Sequence, residues 1–146
     1  MIVVDASVAV KWFLPEDGSE AAFDLLKGKE ILIAPDLIRV EVSSAFMRRA
    51  RKGDITHAEA KEAMGMWLDA LKQGVVQIQS NLEDLRDATN FALQLGHAVH
   101  DCYYLAVARR TSSKLVTADK AFAAKAISVF PVVEMLSLER PSALCI

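Results

Sequence analysis

The chain has 146 residues, of which 53% are hydrophobic and 25% charged, and its formal net charge is −2. This balance excludes intrinsic disorder, which requires low hydrophobicity and a high net charge, and no charge-free apolar run reaches the roughly 20 residues of a membrane span. A protein that holds nucleic acid through phosphates alone is basic, so nucleic-acid binding here would require a local basic patch and metal ions.

The N-terminal segment and the cysteines predict the compartment. Met1–Val4 carries no basic side chain, and Asp5 follows where a secretory signal would be apolar. Cys102 and Cys145 do not form a C-x-x-C pair, so we expect reduced thiols rather than a disulfide or a zinc site. We therefore expect a cytoplasmic protein, with Cys102 in the core.

Hydrophobic periodicity predicts strands that alternate with helices. In chain order we expect a strand over 2–4, helices over 8–14 and 19–27, a strand over 31–34, helices over 36–52 and 56–72, a strand over 75–78, helices over 81–96 and 100–110, a strand over 115–117, a helix over 119–126 and a strand over 132–136. Ser7 and Ser19 are the expected N-caps of the first two helices, and the Thr56–Glu59 segment matches a capping box. Two apolar helix faces are expected, formed by Ala22, Phe23 and Leu26, and by Leu37, Val40, Ser44 and Met47.

This alternation predicts the fold class. Strands separated by helical stretches of ten or more residues favour a parallel sheet that is covered by helices on both sides. We expect an α/β fold, a three-layer α/β/α sandwich with a central, mostly parallel sheet and right-handed crossovers. No repeat or linker divides the chain, so a single domain over residues 1–146 is expected.

Four acidic residues are placed to meet at one edge of this sheet. Asp5 follows the first strand and Asp119 the fourth, while Glu41 and Asp101 lie near the starts of their helices. Ligands of open α/β sheets bind at the carboxyl ends of the strands. Each acid alone has an ordinary explanation as a turn former, a helix cap or a surface charge.

Together, the four acids imply a cation. At an effective dielectric constant of 20, two carboxylates 4 Å apart repel by about 4 kcal/mol, and several such pairs rival the whole stability of a domain, about 5–15 kcal/mol. Such a cluster must be protonated or bind a cation. Ligands that are all oxygen select hard divalent ions such as Mg²⁺ or Mn²⁺.

The segments around these acids carry a family resemblance. IVVDASVAVKWFL, APDLIRVEVSSAF, VHDCYYLAVARR and KLVTADKAF resemble, in order, the four acidic blocks of the PIN domain, and above all those of the VapC toxins of type II toxin–antitoxin modules. The resemblance implies a PIN-like fold and a ribonuclease that hydrolyses RNA phosphodiester bonds. It also implies a cognate antitoxin that inhibits the toxin, and a homodimer.

The resemblance assigns roles residue by residue. Asp5, Glu41, Asp101 and Asp119 match the catalytic acids that bind Mg²⁺ or Mn²⁺ in the family, and Ser7 and Thr117 match hydroxyl positions that support the metal site. His100 departs from the pattern, because many relatives carry Tyr there, and this change bears on substrate positioning or on a subunit contact.

Other polar and apolar residues are secondary candidates. Lys11, Arg48 and Arg49 are candidate RNA contacts, although the basic run 48–52 also suits a solvated helix C-terminus. His97 and His100 are three residues apart, but no third ligand is nearby, so a zinc pair is not expected. In the VapC-like interpretation, the aromatic and apolar segment 12–14 is a candidate for the dimer or antitoxin surface.

Two alternatives remain open at this point. The chain could be a PIN scaffold that binds RNA or protein without cleaving. IVVDAS also faintly resembles the haloacid dehalogenase-type phosphatases, in which an Asp after the first strand is the nucleophile, but Ser7 stands where those enzymes carry a second acid.

Overall fold

The computed structural model describes residues 1–130 and 132–137. Within them the chain forms one five-stranded sheet with helices in the connections between strands. The strands are β1 (Ile2–Val4), β2 (Leu32–Ala34), β3 (Gln77–Ile78), β4 (Lys114–Thr117) and β5 (Val133–Met135). The helices are α1 (Ala6–Ala9), α2 (Ser19–Lys27), α3 (Ile38–Arg51), α4 (His57–Lys72), α5 (Leu82–Leu95), α6 (Val99–Thr111) and α7 (Lys120–Ala126). Cys145 and the C-terminal end of the expected domain lie outside the described residues.

The sheet is parallel throughout and has the strand order β3-β2-β1-β4-β5. The chain moves outward from β1 to β2 and β3, returns to β4 on the other side of β1, and continues to β5. With right-handed crossovers, α1 to α4 cover one face of the sheet and α5 to α7 the other. The predicted three-layer α/β/α architecture is therefore confirmed. The direction of the connections reverses between β1 and β4, and such a switch point opens a crevice at the carboxyl ends of the strands.

The central strands are buried on both faces. Val3, Val4, Ile33 and Leu115 have no exposed surface, which is the pattern of a parallel strand between two helical layers. Cys102 is also fully buried, so its expected place in the core is confirmed. No helix in residues 1–130 and 132–137 is long and apolar enough to cross a bilayer.

The first helix begins earlier than predicted. Asp5, not Ser7, is the N-cap, and its carboxylate accepts a hydrogen bond from the Val8 backbone N–H. α1 is short, and a single 3₁₀ turn (Val10–Trp12) follows it. Both residues are good caps, and the chain uses the one that directly follows the strand. At α2 the N-cap is Gly18, with φ 89°, rather than Ser19.

The predicted apolar faces of α2 and α3 are only partly correct. Ala22 is buried, but Phe23 and Leu26 are exposed. On α3 the buried face is Ile38, Val42 and Phe46, whereas Val40 is 66% exposed and Met47 is also exposed. α3 carries two apolar stripes at helical spacing, and tertiary packing decides which of them faces the sheet.

The segment 12–14 belongs to the core rather than to a partner surface. Trp12 and Leu14 are buried, and the Trp12 indole N–H donates to the Ala22 carbonyl at 2.8 Å. The Phe13 ring packs edge-on against Phe46 and Trp67 at centroid distances of 6.1 and 5.7 Å. The expectation that this segment forms a dimer or antitoxin surface is wrong, because these rings fix the first turns to α3 and α4.

Candidate metal centre

Asp5 lies at the switch point, where the sequence placed it. It follows β1 directly, is only 7% exposed, and accepts hydrogen bonds on both carboxylate oxygens. Oδ1 accepts from Ser7 Oγ at 2.5 Å and from the Val8 N–H at 3.3 Å, and Oδ2 accepts a short hydrogen bond from Thr117 Oγ1. The two hydroxyls predicted to support the site thus contact Asp5 itself.

Burial raises the pKa of the Asp5 carboxyl from 3.8 to about 6. The hydrogen bonds from Ser7, Thr117 and Val8 act in the opposite direction, and the charge of Asp101 adds to the rise. The ionised form is therefore stabilised by its donors, but not enough to offset the loss of water. A cation in the cleft would remove this penalty.

Glu41 lies on the first turn of α3 and reaches the same cleft. Its Oε1 accepts a hydrogen bond from the Tyr104 hydroxyl at 2.7 Å. Partial burial raises the pKa of Glu41, while the Tyr104 hydrogen bond lowers it. Burial and the charge of Glu41 raise the pKa of Tyr104. Tyr104 therefore keeps its proton and acts as a donor to Glu41.

Asp101 lies in the first turn of α6, with a histidine on either side of its carboxylate. Oδ2 is 2.7 Å from His97 Nε2, and Oδ1 is 3.7 Å from His100 Nε2. His97 is half-buried, whereas His100 is exposed and lines the cleft. Asp101 Oδ2 is therefore fixed by the contact with His97, whereas Oδ1 has only the more distant and exposed His100 beside it.

Asp119 is the N-cap of α7, and its Oδ1 accepts from the Phe122 N–H at 3.0 Å. Its own N–H donates to Thr117 Oγ1 at 3.0 Å, and the Ala118 N–H donates to Ser7 Oγ at 2.9 Å. The hydroxyls that hold Asp5 therefore also fix the backbone that carries Asp119. This network joins the carboxyl ends of β1 and β4.

All four predicted acids line one open cleft of about 630 Å³. The ligand atoms of Glu41, His100 and Asp101 lie within 4.8 Å of one another, and so do those of His97, Asp101 and Asp119. Among the described residues, Glu41 Oε2, Asp101 Oδ1 and Asp119 Oδ2 accept no hydrogen bond from the protein. Oxygen donors of this kind fit a hard divalent cation such as Mg²⁺ or Mn²⁺.

The basic candidates lie on the wall of the cleft, but they are not equivalent. Lys11 is buried, and its Nζ donates to Glu16 Oε1 at 2.9 Å and to the Asp17 carbonyl at 2.7 Å. Arg49 donates to Glu16 Oε2 at 2.8 Å. Arg48 lines the cleft and has no carboxylate within ion-pair distance in the part of the chain that the structure describes.

Sequence reasoning missed three residues of the site. Tyr104 is one helical turn after Asp101, and this spacing was a usable signal for a shared face. His97 is four residues before Asp101, but it lies in the loop between α5 and α6, where helical spacing does not by itself predict a shared face. Glu16 pairs with Lys11 and Arg49 from a loop, and nothing in the sequence indicates that contact.

The chain is similar to known proteins in sequence and in fold. Residues 2–128 match the family model of the PIN domain, so the chain belongs to the PIN domain family. The resemblance carried by the four acidic blocks is thereby confirmed, and this membership rules against the haloacid dehalogenase alternative. Ribonuclease VapC3 of Pyrobaculum aerophilum is 32% identical over 124 residues, which are 85% of this chain and 93% of that protein.

Two solved structures share the fold. VapC20 of Mycobacterium tuberculosis, a toxin that cleaves the sarcin-ricin loop, superposes with a TM-score of 0.64 at 18% identity and covers 85% of this chain and 94% of its own. The protein PAE2754 from Pyrobaculum aerophilum superposes with a TM-score of 0.62 at 23% identity, covering 85% and 83%. At these identities the likeness concerns the fold alone.

Proposed function

We propose that this chain is a Mg²⁺-dependent endoribonuclease and the toxin of a VapBC-type toxin–antitoxin pair, acting on RNA in the cytoplasm. The observation that carries the proposal is the convergence of four carboxylates in one cleft, with Asp5 buried and its pKa raised to about 6. Membership of the PIN family and the likeness to a protein named Ribonuclease VapC3 support the choice of RNA.

In this proposal Asp5, Glu41, Asp101 and Asp119 are the catalytic acids and hold Mg²⁺ or Mn²⁺. Divalent ions, when bound, lower the pKa of an attacking water and stabilise charge on the leaving oxygen. Ser7 and Thr117 keep the Asp5 carboxylate oriented and ionised through their hydroxyl hydrogen bonds. Tyr104 does the same for Glu41.

The residues of α3 that line the cleft suggest the path of the RNA strand along this helix. Glu41, Arg48 and Lys52 all line the cleft, and the rise of an α-helix places Arg48 about 10 Å beyond Glu41. A strand whose scissile phosphate sits at the acids would thus place a neighbouring phosphate near Arg48. Lys11 and Arg49 lie beside this path, and each can contact a phosphate if it binds the phosphate and Glu16 at the same time.

The proposed reaction is the hydrolysis of one phosphodiester bond of the RNA backbone. The oxygen of a water attacks phosphorus, the bond from phosphorus to the 3′ oxygen breaks, and the 3′ oxygen takes up a proton. The products are a 5′-phosphate and a 3′-hydroxyl. Because water is the nucleophile, no serine, cysteine or histidine is needed to form a covalent intermediate.

Asp5→Asn tests the proposal. We expect the variant to fold, to bind Mg²⁺ more weakly and to lose RNA cleavage, because the amide cannot supply the negative charge. Asp69→Asn is the matched control, since Asp69 is exposed on α4 and does not line the cleft. Purified proteins are assayed on RNA with Mg²⁺ and with EDTA. Cleavage by Asp5→Asn at the wild-type rate would contradict the site, and absence of Mg²⁺ binding by the wild type would favour the non-cleaving scaffold.

The partners of the proposed toxin are a cognate antitoxin and a second copy of the chain. The likeness to a protein named Ribonuclease VapC3 supports the antitoxin, and the second copy is proposed from the family resemblance of the four acidic blocks. A small reading frame next to this gene, with a DNA-binding N-terminus and an amphipathic tail, should encode the antitoxin. Co-expression should yield a complex with suppressed RNA cleavage, and light scattering should give the mass of a dimer for the chain alone. Full cleavage by the complex would contradict the inhibitory partner.

A further inference from the structure

His97 occupies a defined place next to the cleft, outside the four acids. It lies between Gly96, which ends α5 with φ 59°, and the start of α6. Its Nε2 is 2.7 Å from Asp101 Oδ2, and its ring packs against Phe122 at a centroid distance of 5.1 Å. The imidazole is thus held on two sides, by the first turn of α6 and by α7.

The position of Lys125 favours a proton on His97 Nε2. Its ammonium lies 3.5 Å from His97 Nδ1 and donates to the Gly96 carbonyl at 3.3 Å. An ammonium has donors only, so a hydrogen bond from Lys125 makes Nδ1 the acceptor and leaves Nε2–H as the donor to Asp101. The positive charge of Lys125 also disfavours a metal ion on this ring, which makes His97 a donor rather than a ligand.

We propose that His97 is a positioning residue that fixes the Asp101 carboxylate for the metal ion, an inference that rests on the proposed function. With Oδ2 engaged by His97, the Oδ1 atom is left to face the cleft. Carboxylates that bind metals are commonly oriented by such hydrogen bonds, and removal of the partner typically weakens metal binding 10–100-fold.

Phe122 links this arrangement to a second acid. Its backbone N–H donates to Asp119 Oδ1 at 3.0 Å, while its ring packs against His97. Phe122 itself is buried. The first turn of α7 therefore sets the positions of Asp101, through His97, and of Asp119 directly. Through its contacts with Phe122 and Asp101, His97 links the position of α7 to that of the Asp101 carboxylate on α6.

Three substitutions separate positioning from packing. His97→Phe keeps a ring against Phe122 and removes the donor. His97→Gln places an amide N–H at about the reach of Nε2, whereas His97→Asn carries the same amide on a shorter side chain. A purely structural role would affect the two amide variants alike.

The measurement is Mn²⁺ binding to the purified full chain by calorimetry, with unfolding in EDTA as the check on folding. We expect His97→Phe and His97→Asn to bind Mn²⁺ 10–100-fold more weakly, and His97→Gln to recover most of the wild-type affinity.

Wild-type affinity in His97→Phe, or equal losses in His97→Gln and His97→Asn, would overturn the positioning role while leaving the proposed function intact. A ¹⁴N coupling to Mn²⁺ in pulsed EPR that His97→Phe abolishes would make His97 a ligand and also overturn it. Failure of the wild type to bind Mn²⁺ would overturn both proposals.

Discussion

At the scale of single residues, Asp5 dominates the electrostatics of the cleft. Its carboxyl is almost completely buried, and its pKa of about 6 in the folded chain compares with 3.8 in an unfolded one. A group whose pKa is raised by folding stabilises the fold at low pH, below its unfolded value, and this stabilisation is lost as the pH rises through its folded value. The metal-free protein should therefore lose stability between about pH 4 and 7.

Asp5→Asn removes this dependence, because an amide does not titrate. In EDTA the variant should be more stable than the wild type at neutral pH by up to about 3 kcal/mol, and its advantage should grow by about 1 kcal/mol between pH 5 and 7.5. Urea unfolding at both pH values gives the difference. An advantage that stays constant with pH would contradict the assigned pKa, and excess Mg²⁺ should reduce the advantage because only the wild type binds it well.

At the scale of elements, α3 carries both a proposed metal ligand and a proposed RNA contact along one face. Its first turn carries Glu41, and its last turn brings Arg48 to the same cleft. Arg51 is also in the last turn, but it is exposed and does not line the cleft. The basic run is therefore divided between the cleft and solvent, although the sequence shows it as one cluster.

Arg48→Gln and Arg51→Gln form a matched pair on α3. In an Asp5→Asn background, which prevents cleavage, Arg48→Gln should weaken RNA binding and reduce the slope of log K against log salt by about 1. Arg51→Gln should leave both quantities close to those of the parent. Fluorescence anisotropy with a labelled RNA at several salt concentrations measures both. Equal effects of the two substitutions would mean that the helix terminus attracts RNA only through its overall charge.

The pair of helices α5 and α6 depends on a buried ion pair. Arg110 Nε and Nη2 donate to the two oxygens of Asp84 at 2.7 and 2.9 Å, and Asp84 is fully buried. Arg110→Met leaves that carboxylate without a counter-charge and should destabilise the fold by about 3 kcal/mol. Urea unfolding at pH 7 tests the loss, and Mn²⁺ affinity should not change. A loss below about 1 kcal/mol would show that Asp84 is stabilised in another way.

Local signals account for what the sequence could predict about the elements. The Thr56–Glu59 capping box formed where expected, because it needs only neighbouring residues. The helix expected from residue 81 also begins there, with Asn81 as its N-cap. The predicted buried side of α3 was wrong because the helix carries two apolar stripes, and tertiary packing decides which of them is buried. The predicted start of α1 was wrong because Asp5 and Ser7 are both suitable N-caps and the sequence does not decide between them. The four acids were placed correctly from their positions after strands or near helix starts. His97 and Glu16 were missed, since both lie in loops, where no helix or strand period predicts which side chains meet.

At the scale of the whole molecule, topology brings the site together. β1 and β4 are neighbours in the sheet although more than a hundred residues separate them, and the reversal between them places Asp5 beside Thr117 and Asp119. The net charge of −2 is a poor guide to an RNA partner, because the acids of the cleft contribute strongly to it. Without those four acids, basic residues outnumber acidic ones.

The chemistry of the RNA ends tests the central proposal most directly. A purified chain, freed of any partner, is incubated with RNA and Mg²⁺, and the termini of the fragments are identified by mass spectrometry. Attack by water at the four-acid centre predicts 5′-phosphate and 3′-hydroxyl ends, and no fragments in EDTA. Fragments with 2′,3′-cyclic phosphate ends, or cleavage that persists in EDTA, would contradict metal-dependent hydrolysis by this chain.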